Sequence, residues 1–275
     1  MTSLAKRIGL LVGLLIVITC GAGYAWYAGA INIESRSFAQ NQALVVPHIK
    51  VILPTADKAR PAVLLFHGCG GVKPSLLKRA QALSEQGYVA VIVDSYTGRH
   101  IEWQKTCAGR EFFGSQRAAD VLVALDYARA HPAIDPEQLF LIGYSHGGWT
   151  ILESLAYGDD LPRGLTDNPS NGFKGVQGLV AWYPYCGIGA GYTSGWEKDI
   201  PVLVLLAAED EITDPEPCID MARQQASSGS AIDWHVYQDV SHAFDTGEDW
   251  VKLYDAESHQ QALAAQLEFL KTHVD

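Results

Sequence analysis

A serine set between glycines, in Gly143-Tyr144-Ser145-His146-Gly147-Gly148, is the residue of this chain best placed for chemistry. A serine hydroxyl is a poor nucleophile near neutral pH and attacks a carbonyl only with a base at hand. The spacing G-x-S-x-G suits a sharp strand-to-helix turn that presents the hydroxyl. Such a turn crowds its own backbone, so side chains at 143 and 147 would collide. Asp210 and His242 follow in the order Ser, Asp, His. His242 would take the serine proton, and Asp210 would fix the imidazole tautomer and stabilise the imidazolium. Glu209, Glu211 and Asp214 compete for the acid role. Asp210 is favoured as the third residue after Ala207, where the preceding strand should end. An oxyanion formed on the attacked carbonyl needs donors aimed at it. The backbone N–H of His146 is one. The turn His67-Gly68-Cys69-Gly70-Gly71 offers the other from Cys69, with Gly70 as the alternative, and His67 itself is read as structural.

These groups need elements to carry them. Residues 139–142 form an apolar run after Pro136 and read as a buried parallel strand entering the serine turn. A helix follows, with Gly158 as its stop. Apolar strands are predicted over 61–66, 88–93, 176–183, 201–207 and 231–237, with an earlier one over 43–53. Helices are predicted over 74–86, 115–130 and 255–273. Segment 95–114 reads as a loop above the sheet, and 159–172 as a surface loop or small lid. Buried strands alternating with helices imply an α/β fold: a doubly wound, mostly parallel sheet with helices on both faces. Ligands of such sheets bind beyond the carboxyl ends of the strands. Ser145, Asp210 and His242 all fall at that edge. Tyr96, Trp103, Trp182, Tyr183 and Trp196 are candidate aromatic lining, or core.

A chain of 275 residues can bury one full α/β core. Its 31 acidic and 20 basic residues give a net charge of −11, which argues against a nucleic-acid partner. At the N-terminus, Lys6 and Arg7 precede an apolar run, and no charge follows until Glu34. Residues 1–31 therefore read as an export signal, cleaved after Ala28-Gly29-Ala30, or as an uncleaved anchor over residues 8–31 with Tyr24, Trp26 and Tyr27 at the interface. Either places residues 32–275 outside the cytoplasm, in the periplasm or another extracytoplasmic space. Cys69, Cys107, Cys186 and Cys218 form an even set, as expected of disulfides in an oxidising compartment. Their local order favours Cys69–Cys107 and Cys186–Cys218.

Five motifs in order are similar to those of the dienelactone hydrolase family within the α/β-hydrolases: His67-Gly-Cys-Gly-Gly71, Gly143-Tyr-Ser-His-Gly-Gly148, Tyr183-Pro-Tyr-Cys186, Ala208-Glu-Asp-Glu-Ile-Thr213 and Ser241-His-Ala-Phe-Asp245. The resemblance runs from about Leu44 to the C-terminus and is to exported, cysteine-containing members. It implies a small or absent cap, no metal, no organic cofactor and a small-molecule ester substrate. Ser145 stands where dienelactone hydrolases carry a cysteine, which favours carboxylesterase chemistry over the dienelactone itself. Ala207-Ala208 stands where the family usually has Gly-Glu. The expectation is a serine hydrolase acting on carboxylic esters or lactones through an acyl-enzyme. An acyltransferase or peptidase on the same triad, or a silent binding protein that keeps the fold, are the alternatives. Oligomeric state stays open.

Overall fold

The computed structural model of the chain describes residues 3–31, 34–56, 58–157, 160–168, 170–196, 199–248 and 250–274, without the side chains at 3–6 and 22–31. Met1–Ser35 and Arg36–Asp275 are separate compact units. The first holds α1 (Ser3–Ile31), a continuous helix whose apolar side chains from Ile8 to Ile18 are exposed. Among the described residues no helix is long and apolar enough to cross a membrane. The side chains at the aromatic end of the expected anchor and at Ala28-Gly29-Ala30 lie outside the described residues.

The second unit opens with α2 (Phe38–Val45), a three-residue 3-10 turn (Val46–His48) and β1 (Ile49–Ile52). Next come β2 (Arg60–Phe66), α3 (Pro74–Glu85), β3 (Val89–Val93) and the short helices α4 (Trp103–Cys107) and α5 (Gly114–Arg117). The chain continues through α6 (Ala119–Ala130), β4 (Ile134–Tyr144), α7 (His146–Ala156), β5 (Val176–Trp182) and β6 (Val202–Ala207). It closes with α8 (Glu216–Ser227), β7 (Ile232–Tyr237) and α9 (Ala256–Thr272).

The strands make one sheet in the order β1-β3-β2-β4-β5-β6-β7, parallel except for β1 against β3. Alternate residues supply two cores. Leu64, Phe66, Leu139 and Leu141 face one side, packed with residues of α2, α6, α7 and α8. Val63, Leu65, Phe140 and Ile142 face the other, packed with α3 and α9. Burial on both faces explains why the strands read as continuous apolar runs. The order reverses between β2 and β4, so their carboxyl ends border the crevice where ligands bind in such sheets. The turn at His67 leaves β2, and Ser145 leaves β4.

Several expectations need correction. Residues 43–45 are helical, and only Ile49–Ile52 form the first strand. The cause is a capping box: Ser37 Oγ accepts from the Gln40 amide at 3.2 Å, and Gln40 Oε1 accepts from the Ser37 amide at 2.7 Å. Phe38, Asn41 and Val45 then share the buried face. Segment 95–114 carries α4 rather than being structureless, and the helix expected from 115 divides into α5 and α6. Helix α8 was not predicted; Cys218, Ile219, Met221, Ala222 and Gln225 form its buried side. Strand β4 begins before Pro136, which sits where the β2–β4 register shifts and no ladder donor is needed. Gly158 lies outside the described residues. No described residue of 159–172 lines the cavity over Ser145.

The crowding expected at the serine turn is present. A Cβ on Gly147 would collide with the Phe66 carbonyl, and one on Gly143 with the Gly147 backbone. Backbone cannot yield as a flexible side chain does. Gly147→Ala should therefore destabilise the domain by at least ~2 kcal/mol, within the range for overpacking, measured by urea denaturation.

Candidate active site

Strand β4 ends at Tyr144 and α7 begins at His146, so the whole turn is Ser145. Its φ of 54° and ψ of −114° lie outside the ordinary regions for a residue with a Cβ. Such strain costs on the order of 1–3 kcal/mol and persists only where the surroundings dictate it. Here they do: the Ser145 amide donates to the Trp182 carbonyl at 2.8 Å, and Gly143 and Gly147 let the chain fold back.

Ser145 Oγ lies 2.9 Å from His242 Nε2, and His242 Nδ1 lies 2.7 Å from Asp210 Oδ2. All three residues are under 10 % exposed. A carboxylate can only accept, so Nδ1 carries the proton, and Nε2 is left to accept from the serine hydroxyl. Asp210 also accepts from the amides of Ile212 at 2.9 Å and Thr213 at 2.8 Å, and from the Thr213 hydroxyl at 2.9 Å. Burial pushes its carboxyl up, but the bond and charge of His242 and these donors outweigh it and hold it below the usual carboxylate range. Asp214, the rival acid, accepts from the Glu216 amide at the start of α8. The Ala207-Ala208 departure does not loosen the acid turn, because the Ala208 and Glu209 amides donate to Tyr237 and Val240.

Residues whose supporting role the sequence did not reveal hold this set. Thr213 Oγ1 is also 3.2 Å from His242 Nδ1. The Tyr183 ring stands edge-on to the His242 ring at 4.7 Å, and its hydroxyl donates to Asp245 Oδ1 at 2.6 Å. Asp245 in turn pairs with Arg79, whose guanidinium lies 4.0 Å from the Tyr144 ring centre. The pairing in reach of the sequence was Thr213, which ends the quoted acid motif; Arg79 sits on α3 with no local signal.

The turn after β2 packs against the serine turn. A Cβ at Gly68 would lie 3.5 Å from the Tyr144 carbonyl and 3.6 Å from Ser145 Cβ. His67 is structural, as expected: Nδ1 donates to the Gly68 carbonyl at 2.7 Å, and Nε2 accepts from the Ser95 amide at 3.3 Å. Cys69 is bonded to Cys107 and Cys186 to Cys218, the connectivity that local order favours. Closing loops of 38 and 32 residues contributes roughly 3–4 kcal/mol each in the chain-entropy model. The first bond ties the turn to α4; the second ties the end of β5 to α8, beyond the acid turn.

A cavity of about 630 Å³ opens over Ser145 and His242. Trp103 and Tyr183 line it, as proposed; Tyr96, Trp182 and Trp196 do not, being buried in the fold. Ile212 and Trp250 are wall residues that the sequence did not reveal. Among the described residues no group of His, Cys, Asp and Glu is arranged to hold a metal ion.

A doubly wound sheet with a strained serine between β4 and α7, and an acid and a histidine after later strands, defines the α/β-hydrolase class. The sequence profile of the dienelactone hydrolase family matches residues 49–274, and the chain belongs to that family. It is 23% identical to a protein of Aquifex aeolicus named as a carboxymethylenebutenolidase, over 82% of this chain and 94% of that one. A Synechocystis protein named likewise is 27% identical over 48% of this chain, which spans about half (54%) of that relative's length. The crystal structure of a Klebsiella pneumoniae protein named as a dienelactone hydrolase superposes with a TM-score of 0.65 at 18% identity, covering 81% of this chain and 92% of that one.

Two buried histidines make the fold acid-sensitive. His146 is pushed down to about 3 by burial and by the Arg117 charge, and His67 is lowered well below 6.5 by the same causes. The unfolded chain binds these protons first. Stability is therefore full above about 6.5 and falls as pH drops from there toward 3. The urea midpoint should decline steadily from pH 7 to 4.5, and His146→Gln should flatten part of that slope.

Proposed function

We propose that this member of the family is a serine-dependent carboxylic ester hydrolase in which Ser145, His242 and Asp210 act as nucleophile, base and orienting acid. The observation that carries the reading is the 2.9 Å approach of Ser145 Oγ to His242 Nε2, with Asp210 on the far nitrogen. Nε2 takes the hydroxyl proton as Oγ bonds the ester carbon. The carbonyl electrons move to its oxygen, which the amides of Cys69 and His146 would receive; a helix's first N–H groups have no intrahelical acceptor. The intermediate collapses, the imidazolium hands its proton to the leaving alkoxide, and an acyl-serine remains. Water repeats the sequence from the other side and releases the acid.

Substrates in this reading are small carboxylic esters and lactones. A serine needs its base at every attack, whereas a cysteine can hold a standing thiolate, so each turnover depends on His242. We place the domain outside the cytoplasm; the basic-then-apolar N-terminal segment and two disulfides support that.

Ser145→Ala should abolish p-nitrophenyl ester turnover and stoichiometric fluorophosphonate labelling while leaving the circular dichroism unchanged. Labelling at the wild-type rate would refute the nucleophile. Asp210→Asn should lower kcat by on the order of 10⁴, the size of tautomer loss in a serine protease. Asp214→Asn should change it several-fold at most, and steady-state kinetics of the two variants would rank them.

A further inference from the structure

Arg117 is the largest charged side chain buried in the domain, at 0% exposure, and the triad makes no use of it. Among the described residues no carboxylate forms an ion pair with it. The nearby Asp120 is taken by Arg99, through contacts of 2.6 and 3.0 Å. A buried cation without a direct ion pair is costly. What it touches is informative. Arg117 Nη1 donates to the His67 carbonyl at 2.8 Å and lies 3.3 Å from His146 Nδ1. Its Nε donates to Ser95 Oγ at 2.8 Å, and the Ser95 amide donates to His67 Nε2.

His67 opens the turn that carries the Cys69 amide, and His146 is the residue whose own amide begins α7. One guanidinium nitrogen thus reaches both halves of the proposed oxyanion site from behind. We infer that Arg117 is the positioning residue of that site: its Nη1, held in place by the Nε bond to Ser95, clamps the His67 turn to the His146 end of α7 and sets the distance between the Cys69 and His146 amides. The inference rests on the acyl-transfer reading above. Arg is suited to the task because its rigid fork bridges several acceptors at once, which a lysine ammonium on a flexible stem does not do. The neutral state of His146 keeps Nδ1 available as an acceptor. A spacing error of about 1 Å between donors can cost about 10²-fold in rate.

The test compares wild type with Arg117→Lys, which keeps the charge and removes the fork, using p-nitrophenyl butyrate. The clamp predicts a kcat lower by about 10- to 100-fold with KM within about threefold. The inhibition constant of phenylboronic acid, which occupies the oxyanion site as a serine adduct, should rise by the same factor, whereas that of butyrate should not. A folded Arg117→Lys variant with wild-type kcat overturns the clamp. Should that variant fail to fold, Ser95→Ala decides. Loss of one anchor should lower kcat several-fold with the same unchanged KM, and wild-type kcat there overturns the proposal. A wild-type protein that fluorophosphonate does not label overturns the acyl-transfer reading itself; a labelled wild type beside an unaffected Arg117→Lys variant overturns the clamp alone.

Discussion

The close approach of two backbones at the carboxyl ends of β2 and β4 is the constraint on which the site depends. Gly147 rests against the Phe66 and His67 carbonyls with no room for a Cβ, and Gly143 meets Gly147 in the same way. That contact forces Ser145 into its strained conformation and lifts its hydroxyl out of the sheet. It also brings the His67 turn against the start of α7, so that Ser145 and that turn are set by one packing event. The strain is a local cost offset by a domain whose sheet is buried on both faces.

The acid and the histidine come from a different part of the sheet and are held differently. Asp210 is fixed by four donors, three of them within its own turn, including both functional groups of Thr213. His242 lies in a loop closed by Ser241, whose amide donates to the Leu253 carbonyl and whose hydroxyl accepts the Leu253 amide. Tyr183 joins the two. Its carbonyl lies 3.3 Å from the Thr213 hydroxyl, its ring meets His242, and its phenol reaches Asp245 beyond the histidine. Burial pushes that phenol well above 10, so it remains a donor to the Asp245 carboxylate.

Each disulfide pins a loop that the sheet alone would leave free. Cys69–Cys107 fastens the His67 turn to α4, whose Trp103 walls the cavity beside Lys73, 5.1 Å from the ring centre. Cys186–Cys218 fastens the segment after β5 to the helix that follows the acid turn. Rigid strands place Ser145, Asp210 and His242 roughly, and these cross-links and hydrogen bonds remove the remaining freedom.

The chain itself determined the parallel sheet, because strands buried on both faces must be apolar throughout, and it determined Ser145, because a backbone turn that excludes Cβ atoms writes glycines at fixed offsets. Asp210 and His242 were legible because both follow strand ends in order, and the disulfide pairing because the bonded cysteines are neighbours along the chain. The helix over Phe38–Val45 was written in Ser37 and Gln40, yet Val45 and Val46 resembled a strand. Arg117 also left a trace: it falls at helical spacing with Val121, Ala124 and Ala128, all fully buried, where a charge needs a reason. What that reason is, only the tertiary structure decided. The acceptors of its guanidinium come from residues 67, 95 and 146, and no local pattern records a contact that exists only once β2, β3 and β4 lie side by side.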